Sequence, residues 1–451
     1  MSAPDFTPDE LEAAGAASRV DDPGYTWPED PAVSEALKHW QRQKVGVIIH
    51  WGIYTSIGQG GSWSLHRERL GAFTDPPTDW VGTDAEYHTW YYDQARTFTG
   101  EDLDPADWAA TCRDAGMRYL VFTTKHHDGF SMYDTKFSNL KSTAEWAGLK
   151  RDVFRDFTEA FRAEGLETGI YFSKADWAHP CYWDLGRPVK DRWANYDVAA
   201  DPLRWQRFVE FTHDQIEELV RDYGPMNVLW LDAGWVRAPE EPIDIDRIAH
   251  IARKHQPGIL VVDREVHGVH ENYRTPEQSL PDNGLDMPWE ACITMTRSWT
   301  SLRPDDPAKP LSDIIATLLK IVAGGGNYLI GIGPDATGKM PPEVRERLGQ
   351  LGGWLDVCGE GIYASERDDQ APLFAGELTW YHTKVGDRRF AFGHSGEETV
   401  APGTLQVGAK LAAARVLGGG DLDLEHLGGT TTLKLPASPT KAAIGVEYRL
   451  V

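Results

Sequence analysis

The 451-residue chain predicts an α/β fold: a closed (β/α)8-type, TIM-like barrel followed by a small C-terminal antiparallel β-sandwich. Three observations carry that expectation. Short apolar runs alternate with helix-length amphipathic segments from about residue 40 to residue 360, the pattern of parallel strands joined by helical crossovers. His50, His126, His127, Asp232 and Arg264 stand at the C-terminal ends of such runs, and a closed barrel gathers those ends at one mouth. From about residue 366 the pattern changes to short alternating strands divided by Gly, Pro and Asp turns. The expected division is residues 1–365 as the catalytic barrel, with 1–30 as an extended tail, and 366–451 as the sandwich.

The strands are read in order from "VGVIIHWG" at Val45, "RYLVFTTKHHDG" at Arg118, "LETGIYFSKADW" at Leu166, "MNVLWLDAGW" at Met226, "GILVVDRE" at Gly258 and "NYLIGIGPD" at Asn327. Between them, Val153, Phe157 and Phe161, and then Trp205, Phe208, Val209, Ile216, Leu219 and Val220, recur at helical spacing. Asp104 followed by Pro105 reads as a helix cap and first-turn proline. The glycine cluster "AGGGNYLIGIG" from Ala323 follows a helix and precedes a strand. A phosphate cradle needs the reverse order, so the cluster reads as a helix stop and the dinucleotide reading falls away. In the last part, "GELTWYHTKVGDRRFAFGHS" and "TTTLKLPASPTKAAIGVEYRLV" alternate with period two.

Charge narrows the partners. With 45 Lys+Arg against 69 Asp+Glu the formal net charge is −24, a surface that repels nucleic acid and anionic membrane and favours solubility. The N-terminal stretch has neither a basic nor an apolar signal region, so a cytoplasmic location is expected. No apolar stretch approaches the roughly eighteen residues of a membrane span. Cys112, Cys181, Cys292 and Cys358 lie far apart without a Cys-x-x-Cys pair, which predicts reduced thiols rather than zinc or disulfides. The oligomeric state is not legible in the sequence.

Three classes of chemistry compete for the polar strand ends. Neighbours on a strand point to opposite faces, so His126 and His127 share a ligand only if the chain bends there. A metal hydrolase would want further clustered ligands, and a catalytic metal is not expected. Hydrogen-bonded histidines that merely hold loops are the plain structural alternative. At a barrel mouth in a chain with 18 Trp, binding of sugar hydroxyls explains them better, because neutral imidazole offers one donor and one acceptor. Asp232 ends a strongly apolar strand, where a carboxylate is costly without partners or a task; the alternative is a helix cap. Glycoside hydrolysis uses a second carboxyl group, for which Glu265, Glu271, Glu277 and Glu290 are candidates. All four are placed on loops able to reach the mouth, and residue chemistry alone does not rank them. No Gly-x-Ser-x-Gly elbow is present.

From about residue 40 to its C-terminus the chain resembles the α-L-fucosidases of glycoside hydrolase family 29. The likeness rests on "VGVIIHWGIYT", "LVFTTKHHDGFSMYDTKFSN", "GIYFSKADW", "VLWLDAGW", "PWEACITMTRSW" and "GGGNYLIGIGPDATGKM", in that order. It implies an irregular barrel, a β-sandwich, no cofactor, and retention of configuration through a covalent fucosyl-enzyme. The substrate it implies is terminal α-L-fucose on an oligosaccharide or glycoconjugate. By motif, Asp232 corresponds to the nucleophile, and His50, Trp63, His126, His127, Tyr171, Trp230, Arg264 and Trp299 to substrate-binding positions. Trp230 and Trp299 fall where the family places aromatics near the sugar's C5 methyl. Glu277 in "YRTPEQ" is the first choice for the acid/base, and Glu290 the second.

One position departs from the family pattern. Ser62 precedes Trp63 where many members carry Glu, so a sugar contact there must weaken, pass through water, or come from Glu68 or His66. That departure keeps α-L-galactose open as an alternative substrate of the same mechanism. A weakly catalytic sugar-binding protein is the alternative from a different class.

Overall fold

The computed structural model describes residues 24–66, 81–189, 191–264, 267–282, 284–300 and 307–451. The expected tail therefore lies outside the described residues up to position 23, as do Glu68 and Glu265.

Seven parallel strands form a curled sheet: β1 (Val45–Ile49), β2 (Tyr119–Lys125), β3 (Glu167–Ser173), β4 (Val228–Asp232), β5 (Leu260–Val262), β6 (Glu290–Thr294) and β7 (Asn327–Ile332). Their order is β5-β4-β3-β2-β1-β7-β6, the cyclic order of a barrel with one position lacking a strand between β5 and β6. Residues 272–278 run through that gap. The Asn272 amide donates to the Val261 carbonyl on one side, and on the other the Gln278 amide donates to Cys292 and the Cys292 amide to Pro276. Pro276 has no amide hydrogen, so this segment cannot complete a regular ladder.

The strands are apolar on both faces, as parallel strands under helices must be. Val47, Ile49, Phe122, Ile170, Leu229, Leu231 and Ile330 pack outward under the helices, while Ile48, Val121, Tyr171, Val228, Trp230, Leu260, Cys292 and Leu329 fill the barrel. Helix α1 (Pro31–Gln43) plugs its floor with Val33, Leu37 and Trp40, one helical stripe. Asp30 caps this helix through the Ala32 and Val33 amides. The Trp40 ring stacks on Tyr273 at 3.9 Å. A Cβ on Gly46 would lie 2.3 Å from the buried Tyr119 ring. Gly46→Ala is therefore expected to cost about 1–3 kcal/mol through overpacking, read as a lower urea midpoint; an unchanged midpoint would show that the ring can move.

The sequence-predicted helices fall at Pro105–Asp114, Val153–Ala163 and Pro202–Asp222, and Gly324, Gly325 and Gly326 separate helix Leu311–Ala323 from β7. Beyond residue 365 two antiparallel sheets follow, one of five strands and one of four, with Phe374, Leu405, Val407, Leu433, Val446 and Tyr448 between them. They lean on the barrel through the Trp354 indole, which donates to the Ala443 carbonyl at 3.3 Å. All four cysteines are free. Among the described residues no helix is long and apolar enough to cross a membrane.

Candidate active site

The alternation that fills the barrel also aims the site. On β4, Val228 and Trp230 face inward, so Asp232, two residues on, faces the mouth. Its carboxylate accepts from the Tyr171 hydroxyl at Oδ2 and from Arg264 Nε at Oδ1, 3.2 Å away. The same guanidinium is ion-paired with Glu277, and its Nη1 donates to the Thr275 carbonyl at 3.1 Å. One buried arginine thus holds two carboxylates. Burial alone would raise the Asp232 carboxyl, but Arg264, His127 and the Tyr171 hydroxyl outweigh it and hold the group well below the usual carboxylate range. Asp232 is therefore held ionised, and it caps no helix.

Three left-handed residues lie at these groups. Ala233, Arg264 and Gln278 all have left-handed φ, at 64°, 61° and 49°, a region non-glycine residues rarely occupy. Each either is a site residue or directly follows a site carboxylate, which is where such conformations concentrate. Gln278 ties down the turn after Glu277 by donating through Nε2 to Thr294 Oγ1 at 3.2 Å.

The chain does bend at the paired histidines. The β2–β3 register shifts between Thr123 and Lys125, and the strand ends there. The His126 and His127 rings then lie side by side, 4.0 Å apart, instead of facing opposite ways. His50, one residue past β1, packs 4.8 Å from Trp299 and 5.0 Å from Tyr171. Burial lowers His50 to about 3 and His126 to about 4, and holds His127 well below the usual imidazole range, so all three are neutral imidazoles near pH 7. Asp128, the third member of the motif, turns inward and accepts from the Tyr91 hydroxyl at 2.7 Å.

Aromatic rings complete the walls. Trp63 is half-buried, 4.9 Å from His127, with Trp177 and Trp235 beside it. Trp177 and Trp235 are not among the residues the sequence points to, although each ends a strand motif, "LETGIYFSKADW" and "MNVLWLDAGW". Trp230 is only 2% exposed. Arg264 lies over its ring at 4.9 Å and Tyr171 stacks on it, so it forms the floor beneath the arginine.

Glu290 is not on a loop at the mouth, which corrects the expected loop position. It is the first residue of β6, at the floor end of a strand whose other end reaches the mouth. There it is fully buried, accepting from the Tyr119 hydroxyl and from Trp230 Nε1 at 3.3 Å. Burial pushes it up to about 7, which for a group under the Trp230 ring is a consequence of the core. Glu271 is buried too, paired with Arg274 at 3.0 Å.

One atom each of His126, His127 and Asp232 lie within 4.8 Å of one another, close enough to hold an ion. Against that use, Arg264 already supplies the positive charge at Asp232, and a second cation would meet its repulsion. Hydrolysis is expected to survive exhaustive EDTA treatment unchanged; loss of activity restored by added Zn2+ would contradict this.

Neutral imidazoles offering one donor and one acceptor each, with indole rings beside buried carboxylates, suit a carbohydrate ligand and point to the class of carbohydrate-processing enzymes. The comparisons narrow the class. A family model described as Alpha-L-fucosidase matches residues 13–360, and the chain belongs to that family of glycoside hydrolases. Tissue alpha-L-fucosidase of Mus musculus is 29% identical over 370 residues, 78% of this chain and 76% of that protein. The Homo sapiens tissue enzyme is 29% identical over 384 residues, 79% and 76% of the two chains. Among solved structures, alpha-L-fucosidase isoenzyme 1 from Paenibacillus thiaminolyticus superposes with a TM-score of 0.77 at 26% identity, covering 93% of this chain and all, 100%, of that one. The Thermotoga maritima alpha-fucosidase in complex with fucose gives a TM-score of 0.69 at 26% identity, covering 91% and 96%.

Proposed function

We propose that the chain is a retaining exo-α-L-fucosidase that releases terminal α-L-fucose from oligosaccharides or glycoconjugates, with residues up to 365 carrying the catalysis. The carrying observation is the pairing of Asp232 and Glu277 on one guanidinium. A shared guanidinium brings both carboxyl groups to one mouth, as the two-carboxylate chemistry of glycoside hydrolysis requires. Asp232, kept ionised, attacks the anomeric carbon while Glu277 protonates the departing glycosidic oxygen. Water then attacks the same carbon, Glu277 takes its proton, and the Asp232 carboxylate is released.

His50, His126, His127, Tyr171, Trp63 and Trp299 take the sugar's hydroxyls and apolar face, with Trp230 supporting them from below. The test is turnover of an aryl α-L-fucoside followed by NMR. Rapid hydrolysis with the α-anomer as first product supports the reading, and the β-anomer as first product rejects retention. Preference for the aryl α-L-galactoside would move the substrate assignment, and binding without turnover would reject catalysis.

A further inference from the structure

We propose that Ser62 and Ser173 hold the adjacent histidines His126 and His127 in opposite tautomers, so that the pair presents one donor and one acceptor to a single substrate hydroxyl. The protons available to each ring fix its tautomer. His126 Nδ1 lies 2.6 Å from Ser62 Oγ and accepts from the Ser62 backbone amide at 3.4 Å. An amide N–H only donates, so Nδ1 carries the lone pair and the ring proton sits on Nε2. Ser62 is fully buried and its hydroxyl is spent on this ring.

At His127 the bonds run the other way. Nδ1 lies 2.7 Å from Ser173 Oγ, and the Ser173 hydroxyl donates its one proton to the Ala175 carbonyl at 2.8 Å. Ser173 therefore accepts from His127, which places the ring proton on Nδ1 and leaves Nε2 as an acceptor. That Nε2 stands 3.8 Å from Asp232 Oδ2, beyond hydrogen-bond reach and with a lone pair on both sides. A donor belongs near that pair of acceptors, and a sugar hydroxyl supplies one. The same hydroxyl oxygen can accept from His126 Nε2–H. His50 is different: its Nδ1 is buried without a partner, so its tautomer is left to the ligand.

This assigns Ser62 a role as a positioning residue that acts through His126, and Ser173 the same role through His127. The tautomers stand on the protein's own bonds, while the hydroxyl they read rests on the glycosidase assignment above. The test is nitrogen NMR of the ligand-free full chain with labelled histidine, the two rings assigned through His126→Gln and His127→Gln. His126 is expected to show a protonated Nε2, and His127 a protonated Nδ1. In Ser173→Ala the His127 signals should move toward the Nε2-protonated form, and KM for an aryl fucoside should rise about tenfold, the scale of one lost hydrogen bond, with kcat less affected. Ser62→Ala keeps its amide donor and should shift less. The same tautomer on both rings of an active enzyme would overturn the proposal and leave the function standing. Opposite tautomers in a protein that turns over no fucoside would sustain the assignment and reject the function instead.

Discussion

Asp232→Gly is expected to lower hydrolysis of an aryl α-L-fucoside by about 10⁴-fold or more, the scale on which removal of a nucleophile acts. The loss should fall on kcat/KM for good and poor leaving groups alike, because no leaving-group quality replaces the group that forms the covalent bond. The substitution also leaves Arg264 facing a cavity where a carboxylate had been. A small anion such as azide or formate should enter it and restore part of the rate, azide yielding the β-fucosyl azide by a single inversion. A variant that keeps more than a tenth of the wild-type rate would remove Asp232 from the mechanism.

Glu277→Ala is expected to behave differently. An acid is needed only in proportion to how poorly the aglycone leaves, so natural glycans should lose about 10²–10⁴-fold, the usual contribution of general acid–base catalysis. A dinitrophenyl fucoside should lose little in its first step, with the fucosyl-enzyme accumulating because water lacks its base. Azide needs no base and should accelerate turnover, giving the α-fucosyl azide. Glu290→Gln is the contrasting variant. Its carboxyl bonds Tyr119 and Trp230 in the barrel floor, so it should lower thermal stability without any azide rescue. Azide rescue of Glu290→Gln and not of Glu277→Ala would reverse the two assignments.

The sequence made the barrel legible because buried parallel strands are apolar on both faces, which leaves His50, His126, Asp232 and Arg264 conspicuous at their ends. The turn of His126 and His127 onto one side was not legible: it depends on the register shift after Thr123, which no residue type announces. The place of Glu290 is not legible for a related reason. "EACIT" is a short strand with an acidic first residue, and nothing in it says whether the chain is entering or leaving the barrel. Residues 272–278 fill the gap between strands with "NYRTPEQ", a sequence with a proline and no alternation, so it read as a loop. In the sequence Ser62 stands out only as a missing acid; its bond to His126 depends on loop geometry rather than on composition.

The most direct measurement is covalent trapping with a 2-fluoro-α-L-fucosyl fluoride, whose fluorine slows both steps while the good leaving group favours the first. After proteolysis, mass spectrometry should find the fluorosugar on the peptide containing "VLWLDAGW", with fragmentation placing it on Asp232. A label on any other carboxylate, or an enzyme that turns the reagent over without ever carrying it, would contradict the account.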